Sequence, residues 1–485
     1  MVRKYQLFHQ YFFNNQTITD FKAKANIFNK HFSDQCSVIS SNSVLPENYR
    51  PFTNDELKGF DIKEEDISKI ICNLNSSKAH GFDAISIRML KICDLSVIKP
   101  LSYLFKNCLK ECIFPEAWKK ANVAISKKGS RQDFKNYRTV SLLPICGKIF
   151  ERLIYNSVFN FIDERKLLSP NQSGFKPQDS CVHQLLSITN SIYSSFDCNP
   201  SLEVRGVFLD ISKAFDKVWH DGLLLKIKSF GISGNLLILI QSFLCNRMQR
   251  VVLNGQCSDW MKISAGVPQG SILGPLFFLI YINDLPQGLQ SDVNMFADDT
   301  CLFSIIQDKT NSANALNSDL EKISNWAVQW KMSFNPDPSK QAAELLFSRK
   351  RGSEHHPDLI FNGRVVNKVT HQKHLRVILD KKLSFTDHIK QAIGNSIKGL
   401  NFIIKLNLTL PRKTLITIYK SFIRPHLDYG DNIYDQPLNK SFANKIESIQ
   451  YYSALAITGT IKGTSKEKLY RELGLEYLVQ RRWFR

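Results

Sequence analysis

The chain has 485 residues, a length that corresponds to about three domains of ordinary size. Hydrophobic residues make up 43% and charged residues 22%, which is typical of packed globular proteins and excludes disordered or collagen-like chains. Lys and Arg number 64 against 44 Asp and Glu, so the net charge is +20. This excess predicts a polyanionic partner, with nucleic acid favoured over an anionic membrane surface.

The sequence predicts neither a membrane-spanning helix nor a signal peptide. The longest apolar run covers residues 272–282, whereas a bilayer requires ~20 apolar residues. His9 and Gln10 interrupt the apolar residues near the N-terminus, where a signal peptide needs a continuous apolar core. The 11 cysteines are odd in number and scattered, which favours reduced thiols over disulfides or zinc ligands. We therefore expect a cytoplasmic or nuclear protein.

Changes in hydrophobic periodicity divide the chain into three predicted regions. Residues 1–114 have mainly helical patterns and form an N-terminal extension or linker. Residues 115–379 alternate between strand and helix patterns. Residues 380–485 are again mainly helical and carry 18 Lys or Arg against 9 Asp or Glu. The abrupt end at Arg485 predicts that this basic region continues in a longer product.

Two adjacent acids give the sharpest local signal. Residues 294–303 consist of two apolar stretches that meet at Asp298 and Asp299, the pattern of a β-hairpin with carboxylates at its tip. Adjacent carboxylates at the end of buried strands repel each other unless a cation compensates their charge. The pattern therefore predicts a divalent metal site, with an ordinary Asp-Asp turn as the alternative.

A second predicted strand, residues 204–210, also ends in an acid, Asp210, and leads directly into a helix start. Three carboxylates at two strand ends suit Mg²⁺, with substrate phosphates completing the coordination. This is the arrangement of two-metal phosphoryl transfer. A nucleotide hydrolase is the alternative, but its G-x-x-x-x-G-K-[ST] loop is absent from the sequence.

A Gly-rich segment, residues 266–275, lies between the two acidic strands and precedes an apolar helix. In chain order, VFLDISKAFDKVWH, GVPQGSILGPLFFLIYINDLP and FADD resemble motifs A, B and C of reverse transcriptases from non-LTR, LINE-type, jockey-like retrotransposons. NYRTVSLLP and NQSGF extend the resemblance upstream. The resemblance implies an α+β right-hand polymerase with fingers, palm and thumb. Fingers and palm would occupy residues 115–379, and the thumb residues 380–485.

The resemblance also implies roles for individual residues at the catalytic centre. Asp210 and Asp298 would bind both Mg²⁺ ions, for which Mn²⁺ is an expected substitute, and Asp299 would support them. The backbone at Ile211 would help to hold the triphosphate. Lys340 would protonate the departing pyrophosphate. The implied reaction adds deoxynucleotides from deoxynucleoside triphosphates to a DNA primer 3′-hydroxyl on an RNA template, and pyrophosphate leaves.

Further positions match the family's nucleotide pocket. Phe215 matches the steric gate, where an aromatic ring under the sugar excludes a 2′-hydroxyl. Gln269 and Gly270 match residues that border the nascent base pair. Arg138 and Arg131 are placed to pair with the incoming phosphates, which suits the planar guanidinium group.

Some positions depart from the family pattern. Gln178 and Arg376 stand where glycine is usual, and Arg376 lies in a strand-like run in which we expect glycine to allow close approach of the primer. A catalytically decayed or domesticated nucleic-acid-binding protein is therefore the alternative function. A group II intron maturase is a more distant alternative.

Other groups of titratable residues are weaker candidates. Three acids could form an RNase H-like cluster, although their segment resembles the family's thumb, and two histidine pairs lack further ligands nearby. These residues are Asp428, Asp431 and Asp435, and the pairs His371 with His374 and His355 with His356.

Overall fold

A computed structural model describes residues 11–13, 16–37, 45–47, 49–93, 95–127, 137–198, 202–350, 355–434 and 440–483. The helices are α1 (Phe21–Gln35), α2 (Glu64–Asn73), α3 (Ile87–Cys93), α4 (Leu95–Lys110), α5 (Glu116–Lys119), α6 (Ile145–Glu164), α7 (Cys181–Cys198), α8 (His220–Ser229), α9 (Gly234–Leu244), α10 (Leu273–Ile282), α11 (Lys309–Gln329), α12 (Pro338–Gln341), α13 (Thr386–Leu406), α14 (Arg412–Ile418), α15 (Arg424–Asp428), α16 (Asp431–Tyr434), α17 (Lys440–Thr458), α18 (Lys466–Leu473) and α19 (Leu478–Trp483). A π-helical turn covers Tyr419–Ile423. The strands are β1 (Tyr11–Phe13), β2 (Gln16–Ile18), β3 (Lys120–Lys127), β4 (Tyr137–Leu142), β5 (Glu203–Asp210), β6 (Arg247–Leu253), β7 (Gln256–Cys257), β8 (Met261–Ile263), β9 (Asp292–Phe296), β10 (Asp299–Ile306), β11 (Ala342–Phe347), β12 (Ile360–Phe361), β13 (Arg364–Val365), β14 (Asn367–Val369), β15 (His371–His374) and β16 (Val377–Asp380).

The chain forms two compact units, each assembled from three separate segments. Unit 1 consists of Met1–Phe175, Ile211–Gly288 and Lys322–Pro336. Unit 2 consists of Lys176–Asp210, Leu289–Glu321 and Asp337–Arg485. Both units contain helices and sheet, which agrees with the predicted α+β class. The three consecutive regions inferred from the sequence remain a prediction.

A mixed sheet with strand order β14-β11-β5-β10-β9 forms the centre of unit 2. β5 is the middle strand, and all its residues from Glu203 to Leu209 are buried, whereas Asp210 at its end is exposed. β10 and β11 flank β5 in antiparallel orientation, and β9 forms a hairpin with β10. The predicted strands over residues 204–210 and 293–303 are thus confirmed.

Helices α13 to α19 follow the last strand of unit 2, as the periodicity after residue 380 predicts. Their apolar residues join those of α7 and of the sheet in one cluster, which includes Leu185, Phe303, Tyr419 and Ile449. Burial of this apolar surface is the main stabilising term for such a unit. In the part of the chain that the structure describes, no helix is both long and apolar enough to cross a membrane.

The centre of unit 1 is helix α10, in which every residue except Pro275 is buried, as expected from its apolar sequence. At its C-terminal end lies a buried ion pair, in which Lys226 Nζ donates to Asp284 Oδ1 at 2.6 Å. Trp326 Nε1 and the Tyr49 hydroxyl also donate to Asp284, and the Lys226 ammonium lies 3.6 Å from the ring centroid of Trp330. Burial lowers the pKa of Lys226 to about 8, and Asp284 opposes this shift. Loss of either charge would leave the other buried without compensation.

A second sheet belongs to unit 1 and has strand order β4-β3-β6-β7, with β8 also paired to β6. Helix α1 packs against one face of this sheet, and its Phe28 and Phe32 belong to one buried cluster with Val123 and Val251. Because side chains alternate along a strand, Asn122 and Arg250 lie on the opposite face.

The two positions where the resemblance expects glycine both have a left-handed backbone. Gln178 has φ of 66° and Arg376 has φ of 68°. The interpretation of Arg376 as a residue within a strand is wrong, because Leu375 and Arg376 form the two-residue turn between β15 and β16. Leu375 also has a positive φ, which is the pattern of a type I′ hairpin turn. The expected glycine is therefore explained by the φ angle of a tight turn.

We predict that Arg376→Gly stabilises unit 2. Glycine adopts positive φ without the steric cost of a Cβ atom, which is about 1 kcal/mol here. The measurement is the urea midpoint of unfolding, which should rise. Lys373→Gly in the adjacent strand is the matched control, because glycine in a strand lowers stability. An unchanged or lower midpoint for Arg376→Gly would contradict the explanation by turn geometry.

Candidate active site

The site in unit 2 begins with two carboxylates that face each other across the central sheet. Asp210 ends β5, Asp299 begins β10, and the antiparallel register pairs these two residues directly. Side chains of directly paired residues point to the same face, with Cβ atoms about 5 Å apart. Both residues are exposed although the strands behind them are buried. The structure therefore brings these two predicted site residues together.

Asp298 is held by a tight turn at the tip of the β9–β10 hairpin. Phe296 pairs with Asp299, so that Ala297 and Asp298 form a two-residue loop. Ala297 has φ of 54° and a buried side chain, so an L residue occupies a backbone conformation that usually favours glycine. This turn fixes Asp298 beside Asp299, and the predicted carboxylate hairpin is confirmed.

The arrangement fits a divalent cation that is shared with a substrate. Among the described residues, no three His, Cys, Asp or Glu side chains are grouped so that they could hold an ion by themselves. Mg²⁺ typically takes only one or two protein carboxylates and completes its coordination with water and phosphate oxygens. The paired carboxylates of Asp210 and Asp299, with Asp298 adjacent, could supply these few protein ligands and leave the other coordination positions to water and phosphate.

A cavity of about 360 Å³ in unit 2 adjoins these carboxylates, and its lining includes Asp210, Asp299, Lys340 and Lys373. Lys340 lies on the single-turn helix α12, where its Nζ is 2.8 Å from Asp337 Oδ2. The hydrogen bond to Asp337 raises the pKa of Lys340, and the charges of Asp337 and Asp210 act in the same direction. Lys340 is therefore a cationic group in the cavity that contains the carboxylates.

Phe215, Gln269 and Gly270 lie in unit 1, where the Gly-rich loop is hydrogen-bonded to the segment that contains Phe215. Val267 N donates to Phe215 O, and Gly266 N donates to Val218 O, both at 2.8 Å. The Phe215 ring stacks on Phe278 of α10 with a centroid distance of 4.8 Å. Phe215 is half-buried, and these contacts hold it against both the loop and α10.

The Gly-rich loop also packs against the edge of strand β4, which contains Arg138. Ser141 N donates to Gln269 O at 2.7 Å, and a side chain at Gly270, with φ of 131°, would overlap with the Ser141 carbonyl. Arg138 is exposed on the same strand. The structure thus brings Gln269, Gly270 and β4 together, while Arg131 lies outside the described residues.

Ile211, the first residue of its unit 1 segment, forms an isolated antiparallel bridge with Phe334. The hydrogen bond of this bridge runs from Ser212 N to Ser333 O at 2.8 Å. The backbone at Ile211 is therefore fixed by pairing with a distant segment of the chain.

The sequence interpretation assigned no role to Asp216, which links the two motifs of unit 1. Gln269 Nε2 donates to Asp216 Oδ1 at 2.8 Å. A Cβ atom on Gly266 would lie 2.6 Å from the Asp216 carbonyl oxygen, so this close approach requires glycine. Burial raises the pKa of Asp216, whereas Gln269, Lys213 and Arg138 lower it. Only the position of Asp216 within motif A could have indicated a role, because its partner is distant in sequence.

The weaker candidates do not form sites among the residues described. Gly430, with φ of 68°, separates α15 from α16, so that Asp428 and Asp431 belong to different helices. Asp428 pairs with Arg424 and Arg481. Asp435 lies outside the described residues. The four histidines also form no metal cluster in the described part of the chain.

The sequence matches a known family over the region that contains these residues. Residues 125–347 match the family described as "Reverse transcriptase (RNA-dependent DNA polymerase)". This region therefore forms a domain of the reverse transcriptase family. It contains Asp210, Asp298, Asp299, Lys340, Gln269 and Phe215.

Similarity to individual proteins extends over most of the chain. The chain is 32% identical over 408 residues to the RNA-directed DNA polymerase from mobile element jockey of Drosophila melanogaster. This match covers 81% of the chain and 44% of that protein. The chain is also 28% identical over 457 residues to the RNA-directed DNA polymerase from mobile element jockey of Drosophila funebris, in a match that covers 90% of the chain and 49% of that protein. The chain therefore spans less than half the length of these relatives. The resemblance to jockey-like non-LTR reverse transcriptases is confirmed.

We predict that Asp299→Asn raises the thermal stability of the protein in a chelator and reduces its stabilisation by Mg²⁺. Without a cation, the facing carboxylates of Asp210 and Asp299 repel each other, and the substitution removes one charge. A gain of ~1 kcal/mol corresponds to ~2–4 °C for a unit of this size. Melting curves with and without Mg²⁺ measure both effects, and exposed Asp61→Asn is the control. A full Mg²⁺ response in Asp299→Asn would contradict the metal assignment.

Proposed function

We propose that this chain is an RNA-directed DNA polymerase that extends a DNA primer on an RNA template. The observation that carries the proposal is the direct pairing of Asp210 with Asp299, with Asp298 in the adjoining turn. The family match over residues 125–347 and the names of the jockey relatives support the same activity. Residues 115–200 would act as fingers, the sheet around β5 as palm, and residues after about 380 as thumb.

Asp210, Asp298 and Asp299 would hold two divalent cations, Mg²⁺ or Mn²⁺. When bound, these cations would activate the primer 3′-hydroxyl and neutralise charge on the triphosphate of the deoxynucleotide. The protonated Lys340 ammonium would supply the proton that the departing pyrophosphate takes up. Asp337 would position this ammonium, because its Oδ2 lies 2.8 Å from Lys340 Nζ.

The residues gathered in unit 1 would select the nucleotide. Phe215 would lie under the sugar and exclude a 2′-hydroxyl, and its contacts with Phe278 and the Gly-rich loop would keep the ring in place. Gln269 and Gly270 would border the new base pair. Arg138, Arg131 and the backbone at Ile211 would bind the triphosphate, because guanidinium and N–H groups are good phosphate donors.

The excess of Lys and Arg would hold the RNA–DNA hybrid through its phosphates. Phosphate contacts are independent of base sequence, so binding would tolerate any template and weaken with salt. Residues 380–485, with twice as many basic as acidic residues, would supply a large part of this charge.

The test is primer extension on an RNA template with Mg²⁺ or Mn²⁺. We expect the wild-type chain to extend the primer, and Asp210→Ala or Asp298→Ala to abolish extension while hybrid affinity stays within a few-fold. Because the acids would bind metal and the basic surface would bind phosphates, the substitutions should abolish extension and leave hybrid affinity nearly unchanged. Asp61→Ala is the matched control. Binding without extension in the wild-type chain would instead favour a decayed or domesticated nucleic-acid-binding protein.

We predict that Phe215→Ala increases the use of ribonucleotides relative to deoxynucleotides. Removal of the ring would open space for the 2′-hydroxyl, and a change of about 10-fold in the ratio would correspond to ~1.4 kcal/mol. Incorporation assays with each nucleotide type measure the ratio. Phe402→Ala is the control, because it removes an exposed ring of unit 2 that makes no contact assigned to the nucleotide. An unchanged ratio in Phe215→Ala would identify Phe215 as a packing residue only.

A further inference from the structure

One face of the unit 1 sheet carries cations around an aromatic side chain. The register of β3 and β6 pairs Asn122 with Arg250, and Trp260 directly precedes β8, which pairs with β6. The same register places Lys120 and Lys262 on either side of Met248. Paired residues in neighbouring strands point to the same face, so these side chains share the face opposite α1.

Arg250 is held in a fixed position on this face. Its Nε donates to Asn122 Oδ1 at 2.8 Å, and its guanidinium carbon lies 4.6 Å from the ring centroid of Trp260. The Trp260 ring is itself contacted by the Phe82 edge, with centroids 5.7 Å apart, and by the Lys120 ammonium at 5.8 Å. An arginine that is already ordered loses less entropy when it binds an anion.

The positive charges on this face have no acidic partners among the residues that the structure describes. None of Lys120, Arg250 and Lys262 forms an ion pair with a described carboxylate, whereas the exposed Arg412 pairs with Glu472. The hydrogen bond of Arg250 uses only Nε, which leaves its terminal N–H groups for another acceptor. Unpaired cations around an aromatic ring are typical of nucleic-acid surfaces.

The same face continues toward Arg138. Ser126 of β3 pairs with Arg138 of β4, and Ser126 is four residues from Asn122, or ~13 Å along the strand. The proposed function assigns Arg138 to the incoming nucleotide. The base opposite that nucleotide belongs to the template, which is still unpaired before it is copied. Unpaired template is therefore the nucleic acid expected on a face that leads to Arg138.

We propose that Arg250, Lys120 and Lys262 bind the phosphates of the unpaired RNA template, and that Trp260 orders Arg250 and offers its remaining ring surface to a base. This inference rests on the proposed function, because it uses the assignment of Arg138. Single strands present base faces to aromatic side chains, whereas the bases of a duplex are stacked on one another. The surface therefore suits a single strand better than duplex DNA.

The test compares binding to two RNA–DNA hybrids, one blunt and one with a long 5′ overhang of unpaired RNA. We expect Arg250→Gln and Lys262→Gln each to weaken binding of the overhang hybrid by about 3- to 10-fold and to reduce its salt slope by ~0.7. Trp260→Leu should weaken the same complex by a similar factor. Blunt-hybrid affinity should stay unchanged. Arg364→Gln, which removes an exposed charge in unit 2, is the matched control.

Equal losses for the blunt and overhang hybrids, or no loss for either, would overturn the proposal. A loss of binding to duplex DNA that matches the loss for the overhang hybrid would also overturn it. Primer extension is measured separately. A wild-type chain that binds the overhang through Arg250 but extends no primer would contradict the proposed function and leave the template surface supported.

Discussion

The repulsion between Asp210 and Asp299 is the constraint on which the proposed chemistry depends. The register of β5 and β10 places these residues side by side, and the packed strands behind them fix their backbone positions. Positive charge stabilises such a pair, and the ammonium groups of Lys340 and Lys373 line the same cavity. A divalent cation would compensate both carboxylates and could bind the phosphates of a substrate at the same time.

In unit 1, hydrogen bonds hold the Gly-rich loop and the segment around Phe215 in a fixed relation. Backbone hydrogen bonds join the Gly-rich loop to Phe215 and Val218, and the Asp216 carboxylate holds the Gln269 amide. The proposed role of Phe215 in nucleotide selection would require a rigid support, since a displacement of ~1 Å can cost ~100-fold in rate. In the proposed function, Asp216 is therefore a positioning residue for the nucleotide.

The sequence predicts those parts of the structure that depend on local pattern. The strand that ends at Asp210, the strand that begins at Asp299 and the apolar helix α10 follow from hydrophobic periodicity and turn residues. The partner of Asp216, the Trp260 contact with Arg250 and the burial of Lys226 with Asp284 join distant segments, which no local pattern encodes. The turn at Leu375 was also missed, because neither residue of the turn is a usual former of a type I′ turn.

Gln178 and Arg376 depart from the expected glycine without a change in the local backbone conformation that glycine would adopt. Both keep the left-handed backbone that glycine would adopt, so the surrounding packing determines the local conformation despite its steric cost. Leu375 illustrates this support, because its side chain lies in the unit 2 core and its carbonyl accepts a hydrogen bond from the Tyr429 hydroxyl. The strain at Gln178 and Arg376 lies outside β5, the β9–β10 turn and β10, which position the carboxylates. Such substitutions are therefore expected to lower the free energy of unfolding while Asp210, Asp298 and Asp299 remain in place.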